Sequence, residues 1–403
     1  MECKTPATRR RRRLARLATG VLLALGISPR AARADPLRLR ADALAEARSP
    51  TGLVVLQGED SLRPWVTAEA LVWAGAGTKL DATGDVLVLA LRLREPHGRG
   101  ELRVGRFVMA AGAILPVQID GAEAVGRTPW GSTVDAFGGV PVAPRFGPRS
   151  YDWIAGGRIA QAVAGRATVG LSYVQRREDG DVSSDELGAD LAAAPARWLD
   201  LAAHGSYDLS SPGISEAKAT AALRLEPWRL ELFASQRSPS RLLPATSLFS
   251  VLGDFPSQMV GLEGRWRAAP RLDLLASAAG QSVGGQIGGN GWARASLRLD
   301  DRGDGTLGVE ARRQDVSTAQ WTGVRAVAGL PLGGGFRYSA ELEIAGPDHP
   351  DGRGTVWPWG LVALSWRSRG GWEVAGAFEG SSTPLHRYEA DALVRVARAL
   401  EFP

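Results

Sequence analysis

The sequence predicts an all-β fold: a single large antiparallel up-and-down β-barrel of about 22 strands, within a range of 18 to 22. Three observations lead there. Apolar and polar residues alternate at period two almost everywhere after Pro36. Connections of two lengths alternate along the chain. The composition, with 50 Gly, 24 Pro, 13 Trp, three Met and one Cys in 403 residues, is that of strands and turns and argues against a helix-rich enzyme.

Taken in order, residues 1–34 stand apart. A basic run, Arg9 to Arg13, precedes an apolar stretch from Leu17 to Ile27, and Ala32-Arg33-Ala34 precedes Asp35. An apolar stretch of eleven residues is too short to span a bilayer, and Ala-x-Ala is a small-residue cleavage pattern, so 1–34 is expected to be a secretory signal peptide cut after Ala34, with 35–403 forming the barrel. Nine of the 48 Lys+Arg and one of the 43 Asp+Glu lie in this segment. The remainder carries 39 bases against 42 acids, a net charge of −3, so nucleic acid is not an expected partner. Cys3 also falls in this segment, leaving no thiol for a disulfide framework or a cysteine metal site.

Strands follow. In FRYSAELEIA (336–345), Phe336, Tyr338, Ala340, Leu342 and Ile344 alternate with Arg337, Ser339, Glu341 and Glu343, and KATAALRLE (218–226) and ARASLRLDD repeat the pattern. Short connections such as 163–167, 193–197, 226–229, 268–271 and 331–335 alternate with longer ones, among them 138–151, 178–184, 282–289, 346–354 and 238–258. The weakest strands are Gly52 to Gly58, Val117 to Ala124 and Thr133 to Gly138. A last strand is expected from His386 to Val396, followed by ARALEFP, whose Phe402 is similar to the terminal sorting aromatic of outer-membrane barrels.

The apolar faces are rich in Ala, Gly, Leu and Val, and the opposite faces carry Arg, Asp and Glu at a density that no dry core tolerates unpaired. A barrel in lipid inverts this requirement, turning the apolar face to hydrocarbon and the polar face to a wet lumen. Tryptophan positions suggest two interfacial girdles: Trp65, Trp198, Trp228, Trp266, Trp366 and Trp372 beside the short turns, and Trp153, Trp292, Trp321 and Trp357 beside the long loops.

LRVGRFVM (102–109), IDGAEAVGR (119–127) and STVDAFGGVPV (132–142) together resemble a block of the alginate-export and related broad porin families of the outer membrane. The resemblance rests on Gly105-Arg106 and Asp120-Gly121. It implies a Gram-negative outer-membrane location, outer-membrane lipid as surroundings, short periplasmic turns and long extracellular loops. It also implies barrel-assembly and periplasmic chaperone machinery during biogenesis. Strict alternation places Arg106 with Leu102, Val104 and Val108, so either a bulge at Gly105 turns it inward or it sits at the rim.

Residues expected to line the lumen are Arg40, Arg158, Asp190, Arg224, Glu231, Arg265, Arg294, Arg298, Glu310, Arg312, Arg337, Glu341, Glu343, Glu379, Asp391 and Arg395. Both signs occur in similar number, which predicts weak ion selectivity. The apolar 238–258 connection, with Leu243, Leu248, Phe249 and Phe255, is expected to fold inward as a constriction or to pack on the rim or a partner. Catalysis finds no constellation: His204, Ser206 and Asp208 stand about 7 Å apart in succession along one strand, too far for a nucleophile and its base. The four histidines are scattered, and DDRGDGTLGVEA has Arg302 and Ala311 where a calcium loop needs ligands, so neither a metal nor another cofactor is expected. The function this supports is passive conduction of small hydrophilic solutes. The alternative is a plugged barrel serving as a structural or partner-binding surface without transport.

Overall fold

The computed structural model describes residues 37–47, 51–77, 82–142, 152–238, 256–316, 319–350, 356–382 and 388–402. Among them lie 22 strands and no helix. The first eleven are β1 (Leu37–Glu46), β2 (Thr51–Arg63), β3 (Val66–Gly77), β4 (Thr83–Arg94), β5 (Gly100–Met109), β6 (Val117–Arg127), β7 (Ser132–Pro141), β8 (Ile154–Val163), β9 (Ala167–Glu178), β10 (Asp181–Ala196) and β11 (Leu199–Asp208). The others are β12 (Gly213–Leu225), β13 (Trp228–Arg237), β14 (Ser257–Ala269), β15 (Leu272–Val283), β16 (Gln286–Arg298), β17 (Thr306–Val316), β18 (Ala319–Gly333), β19 (Phe336–Pro347), β20 (Trp357–Arg367), β21 (Trp372–Ser381) and β22 (Glu389–Phe402). The three weakest stretches of the sequence are the strands β2, β6 and β7.

Each strand pairs antiparallel with the next, and β22 pairs back onto β1 from Leu37↔Phe402 to Glu46↔Leu393. This closes the barrel and leaves no free edge. The last strand therefore runs to Phe402 and not merely to Val396, because β1 supplies partners from Leu393 through Phe402. For 22 strands at the usual spacing and tilt, opposite backbones stand about 40 Å apart.

One end of the barrel carries the turns after β2, β4 and the other even strands; the other end carries the connections after odd strands. The second set is less uniformly long than the sequence implies. Asp179 and Gly180 alone join β9 to β10, both at positive φ, and Gly284 and Gly285 join β15 to β16 in the same way. Two-residue turns with both residues at positive φ match the right-handed twist of the strands they connect.

The concave side is fixed by the connection between β5 and β6. A Cβ placed on Gly112 would lie 2.6 Å from Arg158 Nε, and one on Gly188 would lie 3.0 Å from Ala113 Cβ and 3.4 Å from Ile114 Cδ1. One short loop reaches β8 and β10 in this way only by crossing the inside of the curve. It covers an apolar cluster of Ala90, Phe107, Met109, Ile119, Phe137, Ile154 and Val174, in which Phe107 and Ile119 are fully buried. Register then carries the assignment around the barrel, because paired residues share a face. The convex face bears exposed apolar side chains on strand after strand, including Leu89 (59% exposed), Ile159 (64%), Leu171 (61%), Leu232, Val260, Val309, Leu342 and Phe378.

Candidate functional site

The candidate site is the concave wall. All sixteen charged residues named from the sequence lie in register on that face, and most are held by neighbours of opposite sign. Arg158 grips Asp190 across two strands with Nε–Oδ2 at 2.9 Å. Where β22 meets β1, Asp42 accepts from Arg40 at 2.8 Å and from Arg395 at 2.9 Å, and Arg40 reaches Glu373 at 3.3 Å. Arg224 pairs with Asp200, Glu231 with Arg229 at 3.1 Å, and Arg265 with Asp273 at 3.0 Å. Arg312 bridges Glu310 and, at 3.5 Å, Glu343, while Glu341 pairs with Arg325. Glu379 accepts the indole N–H of Trp359 at 2.6 Å and lies in register with Asp391. Arg294 lies in register with Glu310.

Two of the sixteen turn to backbone at the turn end. Arg298 donates to the Pro270 carbonyl at 2.6 Å and Arg337 to that of Asp304 at 2.9 Å. The turn 300–305 is closed by Asp300 itself, whose carboxylate accepts the N–H groups of Asp304 and Gly305 at 3.0 and 2.6 Å. Those donors hold its carboxyl below the usual range. The acidic start of that segment is therefore a turn cap.

The tryptophans divide differently from the sequence expectation. Trp65, Trp198, Trp228, Trp266 and Trp372 are exposed at the turn end, with Trp228 and Trp266 stacked at 4.9 Å, Phe336 against Trp366, and Arg398 over Trp372 at 4.7 Å. Trp153 is exposed near the loop end beside Arg177. Trp292, Trp321 and Trp357, however, are not part of an outer girdle. They pair with Arg312, Gln314 and Ala345, which places all three on the concave face together with Trp359. Position along a strand suggested an interface; the phase of the strand decides the face.

Leu243, Leu248, Phe249 and Phe255 lie outside the described residues. Among the described residues, Ala110–Pro116 is a segment that folds inward, with Ala111, Ala113 and Ile114 buried. Its run of Ala, Ile and Leu was the signal available in the sequence.

Beside this segment the wall has a seam. β4 and β5 share six register pairs, from Leu89↔Arg106 to Arg94↔Glu101, where every other neighbouring pair keeps eight or more among the described residues. Arg106 stays in phase with Leu89 toward the loop end, donating to the Val86 carbonyl at 3.0 Å and pairing with Asp120 at 2.6 Å and Asp85 at 3.1 Å. Gln118 donates to the Leu87 carbonyl. Side chains thus satisfy β4 carbonyls that the departing β5 leaves unpaired. Gly105, at φ +128°, permits the departure, since a Cβ there would meet Ala90 Cα at 3.0 Å and press harder still on the Leu89 carbonyl. No bulge turns Arg106 inward.

No family model and no curated protein matches the chain, so the likeness of residues 102–142 to the alginate-export family remains one of sequence pattern. Solved structures do match. The chain is similar to the P pilus usher PapC translocation pore, with 8% identity, a TM-score of 0.52 and coverage of 91% of this chain and 99% of that one. It is also similar to the siderophore receptor PirA from Pseudomonas aeruginosa, with 11% identity, a TM-score of 0.60 and coverage of 92% and 81%. A chain of the E. coli P pilus tip assembly intermediate PapC-PapD-PapK-PapG aligns with 11% identity and a TM-score of 0.52, and the match spans 62% of that chain. At these identities the likeness is one of fold, that of a large closed β-barrel.

Proposed function

We propose that residues 1–34 direct export, that the barrel sits in the outer membrane of a Gram-negative bacterium after delivery by periplasmic chaperones and barrel-assembly machinery, and that it conducts small hydrophilic solutes passively. The observation that carries this reading is the division of faces. Around the closed barrel, exposed aliphatics occupy the convex side, and Arg and Glu or Asp paired across strands occupy the concave side. An apolar convex surface of this extent needs hydrocarbon against it, and a concave face of ion pairs needs water beyond it. A barrel of about 40 Å leaves more room than side chains can fill. Paired charges of both signs give the lumen little net field, so selectivity between cations and anions is weak. Diffusion requires no cofactor and no catalytic group.

Reconstitution into planar bilayers tests this. Stepwise conductance with a reversal potential close to zero in a potassium chloride gradient is the expected result. A folded, detergent-dependent, heat-modifiable protein that gives no conductance would overturn it in favour of a plugged, partner-binding barrel.

A further inference from the structure

The concave tryptophans are the feature that diffusion leaves unused. Trp292, Trp321 and Trp357 stand on β16, β18 and β20, alternate strands of one wall, and Trp359 stands one inward position along from Trp357. Adjacent strands are roughly 4.8 Å apart, so the three indoles are spread over an arc of roughly 20 Å. One row of the ladder reads Trp292, Arg312, Gly323, Ala345, Trp357. The next reads Arg294, Glu310, Arg325, Glu343, Trp359. Gly323 and Ala345 thus make a low floor between Arg312 and Trp357. A Cβ on Gly323 would lie 3.1 Å from Trp321 Cζ3, so that indole lies across the floor and does not project from it.

We propose that this wall binds an uncharged oligosaccharide along its indole platforms. The inference rests on the reading that the lumen is wet. A sugar ring offers an apolar C–H face to stack on an indole and a rim of hydroxyls to exchange hydrogen bonds, and here platforms alternate with carboxylates and guanidinium groups suited to that rim. The spread of the rings argues against a single ammonium ion, which needs aromatic faces converging on one point. Charge argues against an anion. Arg312 and Arg325 are already tied to Glu310, Glu343 and Glu341, and with Glu379 the wall carries four carboxylates against the guanidinium groups of Arg294, Arg312 and Arg325. An extended, neutral, polyhydroxylated chain fits all three constraints.

The test uses the full barrel in planar bilayers with maltohexaose as probe, accompanied by saturation-transfer NMR on maltohexaose with the detergent-solubilised protein. Concentration-dependent transient closures are expected, with glucose at least tenfold weaker because it spans one platform. Trp321→Ala and Trp357→Ala should each weaken block roughly threefold to tenfold, Trp321→Phe should restore part of it, and Trp372→Ala on the convex face should change nothing. Conductance without block by maltohexaose overturns the proposal while leaving the channel intact. Stronger block by oligogalacturonate or by spermine overturns it in favour of charge recognition. If no current flows, saturation transfer that is lost in Trp321→Ala supports the site and places the failure with the channel reading, and absence of transfer overturns the site.

Discussion

An arginine placed at one depth on opposite faces of the same hairpin should have very different costs. Leu262 lies at mid-strand on β14 with its side chain half exposed on the convex face, in register with Leu232 and Ala278. Ser277, the residue before Ala278, points to the concave face between Glu263 and Trp292. Leu262→Arg puts a guanidinium into hydrocarbon near the middle of the barrel wall, which costs about 2–4 kcal/mol, or roughly thirtyfold to several hundredfold in the folding equilibrium. Ser277→Arg puts the same group into water opposite a carboxylate and changes stability by about 1 kcal/mol or less. Equilibrium refolding from urea into phosphatidylcholine vesicles measures both. Equal costs, or a larger cost for Ser277→Arg, would refute the assignment of faces.

Other perturbations follow from the same geometry. Gly105→Val, which forces a β-branched side chain onto φ +128° against the Leu89 carbonyl, should destabilise the barrel by about 1–3 kcal/mol and lower its melting point in heat-modifiability gels. Replacing 110–116 by a short Gly-Ser link removes the segment that lies against Arg158 and Gly188 and should raise single-channel conductance, whereas unchanged conductance would mean that it does not narrow the path. The turn after β4 should be unusually resistant to acid. Glu95 accepts the backbone N–H groups of Arg99 and His97 and contacts the His97 ring, and these donors pull its carboxyl down to about 2 from 4.5. A depressed folded value gives stabilisation that is present above the ordinary carboxylate range and lost as pH falls through about 2. Hydrogen exchange at Arg99 should therefore stay slow at pH 4, and fast exchange there would contradict the capped turn.

Much of the fold was legible because a period-two pattern survives even when single residues are small. β2, β6 and β7 were the weakest segments since Gly, and in β6 and β7 also Ala, interrupts their apolar rows, yet each is paired along most of its length. The charges of the concave face were legible for the same reason. The same period places the inward tryptophans: Trp292 is two residues from Arg294 and shares its face, as parity alone requires. The seam at β4 and β5 was not legible in this way. It depends on a backbone angle at Gly105 and on Arg106 and Gln118 reaching carbonyls of β4, which no local periodicity encodes.

Nitroxide scanning of the vesicle-embedded barrel tests most directly which face meets lipid, and Cys3 is the one native cysteine to be replaced beforehand. Labels at Leu232, Leu262 and Val309 should be relaxed by oxygen far more than by a nickel chelate, and labels at Glu263, Ser277 and Glu341 should reverse that order. Nickel access at the first three sites, or oxygen preference at the second three, would contradict a barrel with lipid outside and water within.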